Sequence, residues 1–136
     1  MKKILAIMML LAAGSFAAVA PQEEAKPFFA TIASDGIQHV DIMGGSYFFK
    51  PSHIVVKANV PVELKVRKES GMVPHNIAMN APEAGIVFDV NLSEEPKIVK
   101  FTPVKPGKYN LYCTKKLLFF KSHREKGMEG LIEVVE

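Results

Sequence analysis

One cysteine, two histidines and one methionine are the residues of this 136-residue sequence best suited to chemistry. Cys113 is the only cysteine, His123 and Met128 follow it, and His75 lies far upstream. A thiolate, two imidazoles and a weak thioether hold copper for one-electron transfer, because soft sulfur suits Cu(I) while imidazole tolerates Cu(II). We therefore predict one mononuclear copper ion, bound by all four residues.

Each of these residues also has a purely structural explanation. A free cysteine is often a small buried apolar residue, and methionine commonly fills gaps in a core. His75 differs, because the Pro-His-Asn turn of residues 74–76 precedes an apolar stretch and places an imidazole at the end of a strand. His39 and His53 have no such partners, and we expect them to be exposed strand or turn residues outside the site.

The N-terminus has the pattern of a secretory signal. Two lysines follow Met1, and residues 4–20 are apolar and end in small residues. Cleavage after Ala20 or after Ala17 satisfies the small-residue rule. Retention as a membrane anchor is the alternative, since about 17–25 apolar residues can span a bilayer. We expect residues 1–20 to direct the protein to the periplasm or out of the cell, and residues 21–30 to be a polar leader.

The remaining residues, 31–136, have the size of one compact domain. Without the two signal lysines, 17 − 2 = 15 basic residues face 14 acidic ones, a balance that gives no reason to expect nucleic acid binding. We expect a monomer. The single cysteine cannot form an internal disulfide, so the odd thiol is either a metal ligand or a buried inert group.

Short segments rich in Val, Ile, Phe and Tyr recur between turn residues, which is typical of an all-β sandwich or barrel. The predicted strands are 36–42, 53–57, 62–67, 75–79, 98–101, 108–112 and 130–135. In residues 62–67 the apolar side chains alternate with charged ones, so Val62, Leu64 and Val66 should be buried. The same alternation turns Tyr109, Leu111 and Cys113 inward.

The C-terminal stretch resembles a known family. Residues 101–113 read Phe-Thr-Pro-Val-Lys-Pro-Gly-Lys-Tyr-Asn-Leu-Tyr-Cys, and His123, Met128 and a final Ile-Glu-Val strand follow. This is similar to the second half of a cupredoxin, a small blue copper protein, closest to the plastocyanin and pseudoazurin group. Residues 43–67 resemble the first half, and residues 73–77, Val-Pro-His-Asn-Ile, resemble the segment with the first ligand.

The resemblance implies an antiparallel Greek-key sandwich with copper near one end. It implies that His75, Cys113, His123 and Met128 are the ligands, and that Asn76 ties the two ligand loops together by hydrogen bonds. It also implies that His123 is the more exposed histidine and faces a redox partner.

One departure from the family pattern lies in the ligand loop. That pattern has two residues between the cysteine and the histidine, whereas nine separate Cys113 from His123. Seven extra residues cost only about 1 kcal/mol of loop-closure entropy, so the ligands can still converge. The insertion includes Leu117–Phe120 between lysines. We expect this apolar segment to fold back over the site; a docking surface within Lys115–Lys121 for an acidic redox protein or a membrane is the alternative.

Three other functions are alternatives to electron transfer. A copper carrier or storage protein would use the same pocket. A copper enzyme would need an open coordination position, such as one left by loss of Met128 as a ligand. A metal-free interaction module would not bind copper at all.

Overall fold

A computed structural model describes residues 25–136, and the predicted signal segment lies outside this range. Within 25–136 no helix has both the length and the apolar character needed to cross a membrane. Regular structure in this range consists almost entirely of strands, together with one short 3-10 helix at Pro82–Ala84.

The strands form two packed sheets. In chain order they are β1 (Phe28–Phe29), β2 (Gln38–Gly45), β3 (Phe48–Lys50), β4 (His53–Lys57), β5 (Val62–Lys68), β6 (Asn76–Ala81), β7 (Ile86–Asn91), β8 (Lys97–Phe101), β9 (Gly107–Tyr112) and β10 (Glu129–Val135). The first sheet has the order β1-β4-β10-β9-β6-β7, and the second has the order β3-β2-β5-β8. The prediction of an all-β sandwich is confirmed.

The core lies between the two sheets and follows from residue alternation along the strands. Val62, Leu64 and Val66 are buried as predicted, with Glu63 and Lys65 on the other face. Strands with one face on a core and one in water produce this pattern.

The pairing is mixed, with parallel pairs beside the antiparallel ones that the resemblance implies. β2 runs parallel to β5, and β4 runs parallel to both β1 and β10. These parallel partners are not joined by hairpins, because the chain passes between sheets before it returns. Phe28 and Phe29 pair with Ile54 and Val55, so the first sheet begins within the segment predicted as a polar leader.

Three strands of the first sheet bring their ends together at one end of the sandwich. Tyr112 at the end of β9 pairs with Glu129 at the start of β10, and with Ala78 of β6. Cys113 and Met128 therefore lie directly beyond a paired strand end, and His75 lies directly before β6. The sheet positions three of the four predicted ligands, His75, Cys113 and Met128, at this end of the sandwich.

Candidate metal centre

Three of the predicted ligands converge in the structure. The ligand atoms of His75, Cys113 and His123 all lie within 4.8 Å of one another. All three residues are buried, with 4, 0 and 2 % of their surface exposed. Among the His, Cys, Asp and Glu side chains of residues 25–136, these three form the one group whose ligand atoms are close enough to share a metal ion.

The spacing of these atoms fits a shared metal ion. The Nδ1 atoms of His75 and His123 are 3.1 Å apart, and Cys113 Sγ is 3.6 Å from His123 Nδ1. Nitrogen and sulfur donors about 2.0–2.3 Å from one ion in a trigonal or tetrahedral arrangement are roughly 3–4 Å from each other. Two imidazoles and a thiolate are also the donor types of a trigonal copper site.

Burial keeps the histidines neutral and so available as ligands. Removal from water, together with the neighbouring His123 and Lys68, lowers the pKa of His75 to about 4. The pKa of His123 is also lowered, first by burial and then by Lys126. Because a metal binds the unprotonated imidazole, both rings are in the binding form at neutral pH.

Backbone hydrogen bonds hold the fourth predicted ligand beside Cys113 and His123. The Cys113 N–H donates to the Met128 carbonyl at 3.1 Å, and the Met128 N–H donates to the His123 carbonyl at 2.9 Å. The Met128 side chain is fully buried. A Cβ at Gly44 would lie 3.4 Å from Met128 Cε and 2.7 Å from Leu92 Cδ1, so the absence of a side chain at Gly44 leaves room for both.

Asn76 makes the hydrogen bonds expected of it. Its Oδ1 accepts from the Thr114 N–H at 2.7 Å, and its Nδ2 donates to Thr114 Oγ1 at 2.8 Å and to Asp89 Oδ1 at 2.7 Å. Thr114 follows Cys113, and Asn76 follows His75. One buried amide therefore ties the loop of the first ligand to the loop of the second.

The insertion between Cys113 and His123 leaves the loop at a defined point. The His123 N–H donates to the Lys115 carbonyl at 2.9 Å, which places His123 next to the second residue after Cys113. This contact reproduces in space the two-residue spacing of the family pattern. Residues 116–122, the seven extra ones, loop out beyond it.

The apolar segment of this insertion does not fold back over the site, so that expectation was wrong. Leu117, Leu118, Phe119 and Phe120 are 59, 74, 101 and 61 % exposed. The hydrogen bond between Lys115 and His123 closes the base of the loop, and this leaves the four side chains on the solvent side of it.

The expectation that His123 is the more exposed histidine was also wrong, since only 2 % of its surface is exposed, against 4 % for His75. Tyr47 covers both rings, with its ring centroid 4.9 Å from that of His123 and 6.2 Å from that of His75. Lys126 Nζ lies 4.5 Å from the centre of the Tyr47 ring and donates to its hydroxyl at 3.2 Å. A groove of about 220 Å³ beside these residues reaches His123 and is also lined by Leu117.

The sequence patterns did not identify Tyr47 and Gly44 as parts of the site. Both lie about 30 residues before His75, in a segment whose resemblance to the family was noted without a role for either residue. An aromatic residue shortly after two glycines was the available signal, but nothing in the spacing indicated which ring it would contact.

The remaining histidines lie away from the site, as predicted. His39 Nε2 is 2.7 Å from Asp35 Oδ2, and His53 Nε2 is 2.9 Å from Glu133 Oε2. His53 is half-buried rather than fully exposed.

Comparison with known proteins identifies one family and several solved structures of similar fold. A family model described as a cupredoxin-like domain matches residues 4–127. No curated protein matches the sequence. The metal binding domain of the Streptococcus pneumoniae D39 Cu(I) exporting P-type ATPase CopA, solved with Cu(I), is 23 % identical with a TM-score of 0.61, over 82 % of this chain and 98 % of that one.

Two further solved structures have a similar fold. Reduced auracyanin from the photosynthetic bacterium Roseiflexus castenholzii is 16 % identical with a TM-score of 0.58, over 72 % of this chain and 97 % of that one. A copper binding protein solved by NMR in its apo form is 22 % identical with a TM-score of 0.56, over 82 % of this chain and 99 % of that one. At these identities the likeness concerns the fold.

Proposed function

The chain belongs to the cupredoxin-like domain family, and we propose that it is an exported mononuclear copper protein that transfers single electrons. The observation that carries the proposal is the convergence of His75, Cys113 and His123 within 4.8 Å in a buried pocket. Met128, which is fully buried and bonded through its backbone to Cys113 and His123, would be the fourth ligand.

The residues of the site are suited to an electron carrier because little has to move around them. Copper bound by this set supplies a couple between Cu(I) and Cu(II). The sheet fixes Cys113 and Met128 through paired strand ends, and Asn76 holds Thr114 beside the thiolate. Contacts that orient ligands in this way tune a metal and limit its rearrangement. Tyr47 lies against both imidazole rings and limits the access of water to them.

The optical spectrum of the copper-loaded protein tests the proposal. We expect the Cu(II) form to show an intense visible thiolate-to-copper band, and Cys113→Ser to abolish it. His123→Gln should alter the band and the EPR spectrum. His53→Gln is the matched control, because His53 contacts Glu133 and lies outside the site. A colourless, redox-silent copper-loaded protein contradicts the proposal.

The burial of the ligands also bears on the alternative of a copper carrier. A carrier must hand its metal to an acceptor, and no proposed ligand is more than 4 % exposed. We therefore expect slow copper release and fast electron exchange with small mediators. Rapid transfer of copper to an acceptor apoprotein, without electron exchange, would replace electron transfer by the carrier function.

A further inference from the structure

The most exposed apolar surface of the ligand loop has no role in holding metal. It consists of Leu117–Phe120, called the tip from here on, and Phe119 is fully exposed. Four consecutive large apolar side chains, each more than half exposed, are unusual on a protein surface and mark a region that contacts something else. The hydrogen bond at the base of the loop keeps the tip outside the core.

Basic residues surround the tip. Lys115 and Lys116 precede it, Lys121 follows it, and Lys126 lies on the next turn, whereas Arg124 pairs with Glu129 at 3.1 Å. The acidic residue in this stretch, Glu125, accepts a hydrogen bond from the Ser122 N–H at 2.7 Å. An apolar tip flanked by lysines is complementary to a surface that is apolar inside and negative at its boundary.

The position of Ala25 relates the tip to the start of the described chain. Phe28 pairs with Ile54 in parallel, and Ile54 pairs in parallel with Ile132. Ala25 is therefore level with the start of β10, at the end of the sandwich that carries the ligands and the tip. The described chain thus begins at the same end of the sandwich as the ligand loop.

We propose that the tip inserts into the boundary region of an anionic lipid bilayer, with the lysines at the level of the head groups. Apolar side chains placed on such a surface enter it by about 5–10 Å, and nearby lysines add attraction to anionic lipid. A stable protein partner would instead need a complementary surface of about 800 Å² on each side, and a transient redox partner a smaller one. A projecting tip of four side chains suits insertion better than such a flat contact.

A single tryptophan tests this proposal directly, because the chain contains none. Phe119→Trp places the reporter on a fully exposed side chain, and Val104→Trp places a control on an exposed side chain away from the ligand loop. We expect vesicles of equimolar phosphatidylcholine and phosphatidylglycerol to shift the emission of the first variant to shorter wavelength and make it quenchable by brominated lipid. The second variant should not respond.

The lysines provide a second, independent comparison. Replacing Lys115, Lys116 and Lys121 by Gln in the Phe119→Trp background should weaken the vesicle-dependent shift by about a hundredfold in lipid concentration, since each lysine near an anionic surface strengthens binding about fivefold. Replacing Lys57, Lys105 and Lys108, which are exposed away from the ligand loop, removes the same charge and should have much less effect.

Two results would overturn the proposal. One is unchanged tryptophan emission from the Phe119→Trp variant while the protein still floats with vesicles, because another segment would then be holding it there. A response to a soluble acidic peptide but not to vesicles would identify a protein partner instead. Neither readout needs bound copper, so a failure here is separate from a failure of the proposed electron transfer.

Discussion

Replacement of Asn76 by Ala should separate the stability of the fold from the organisation of the metal site. The Asn76 side chain is 1 % exposed and makes three hydrogen bonds, two of them to Thr114 beside Cys113. At about 1 kcal/mol of net stability for each bond, its loss should lower the free energy of unfolding by about 3 kcal/mol. Loss of a contact that orients ligands should also weaken copper binding by about 10–100-fold.

Gln38 offers a matched control. It is also a buried amide with three hydrogen bonds, two donated to the carbonyls of Lys57 and Val60 and one accepted from the Lys57 N–H. These partners are not ligands and do not adjoin one. Gln38→Ala should therefore cost a similar free energy of unfolding and leave copper affinity unchanged.

The assay is denaturant unfolding of each protein with and without copper. The gain in stability on copper binding depends on the affinity of the folded state, so it should fall by about 1.4–2.7 kcal/mol in Asn76→Ala. It should be unchanged in Gln38→Ala. If both variants lose the same copper-dependent gain, copper binding follows general stability and the reasoning about Asn76 is refuted.

Two further outcomes are expected. The copper-free protein should lose stability as pH falls from about 6.5 toward 4, because the unfolded chain protonates His75 in this range while the folded state, with its lowered pKa, does not; unfolding at pH 7 and pH 4.5 measures this, and His75→Gln should reduce the difference. Deletion of residues 116–122 should leave copper binding intact and abolish the vesicle response, because Lys115 and His123 already meet at the base of the loop; an unfolded or copper-free deletion variant would show that the loop supports the site.

The sandwich could be predicted from the sequence because its long strands alternate. Val62, Leu64 and Val66 show a period of two that only a half-buried strand explains. Three strands escaped prediction. Ile86–Asn91 was missed although its six residues, rich in Ile, Val and Phe, suit a strand, whereas the other two are too short to carry a pattern. Phe28–Phe29 is two residues long, and Phe48–Lys50 is three. Such segments are strands because a neighbouring strand edge receives them, and that edge is invisible in the local sequence.

The position of the tip escaped prediction for a different reason. Hydrophobicity favoured burial of Leu117–Phe120, but burial also needs a cavity or groove to receive the side chains. The site is already closed by Tyr47, and the backbone contact between Lys115 and His123 directs the loop outward. The Ser-x-x-Glu spacing of Ser122 and Glu125 is the pattern of a helical capping box, and it shows a related limit. Both hydrogen bonds of a capping box form, yet residues 123–127 make turns rather than a helix.

The register of one strand pair accounts for most of the site. Tyr112 opposite Glu129 puts Cys113 and Met128 face to face, and the bond from the Cys113 N–H to the Met128 carbonyl continues the ladder by one step. A slip of one residue would turn Cys113 to the opposite face of the sheet, away from His75. The buried residues of β9 and β10, Leu111 and Ile132 among them, oppose such a slip because it would expose them. The core that stabilises the fold therefore also fixes which atoms meet at the metal site, and the loop between Cys113 and His123 can lengthen without disturbing that choice.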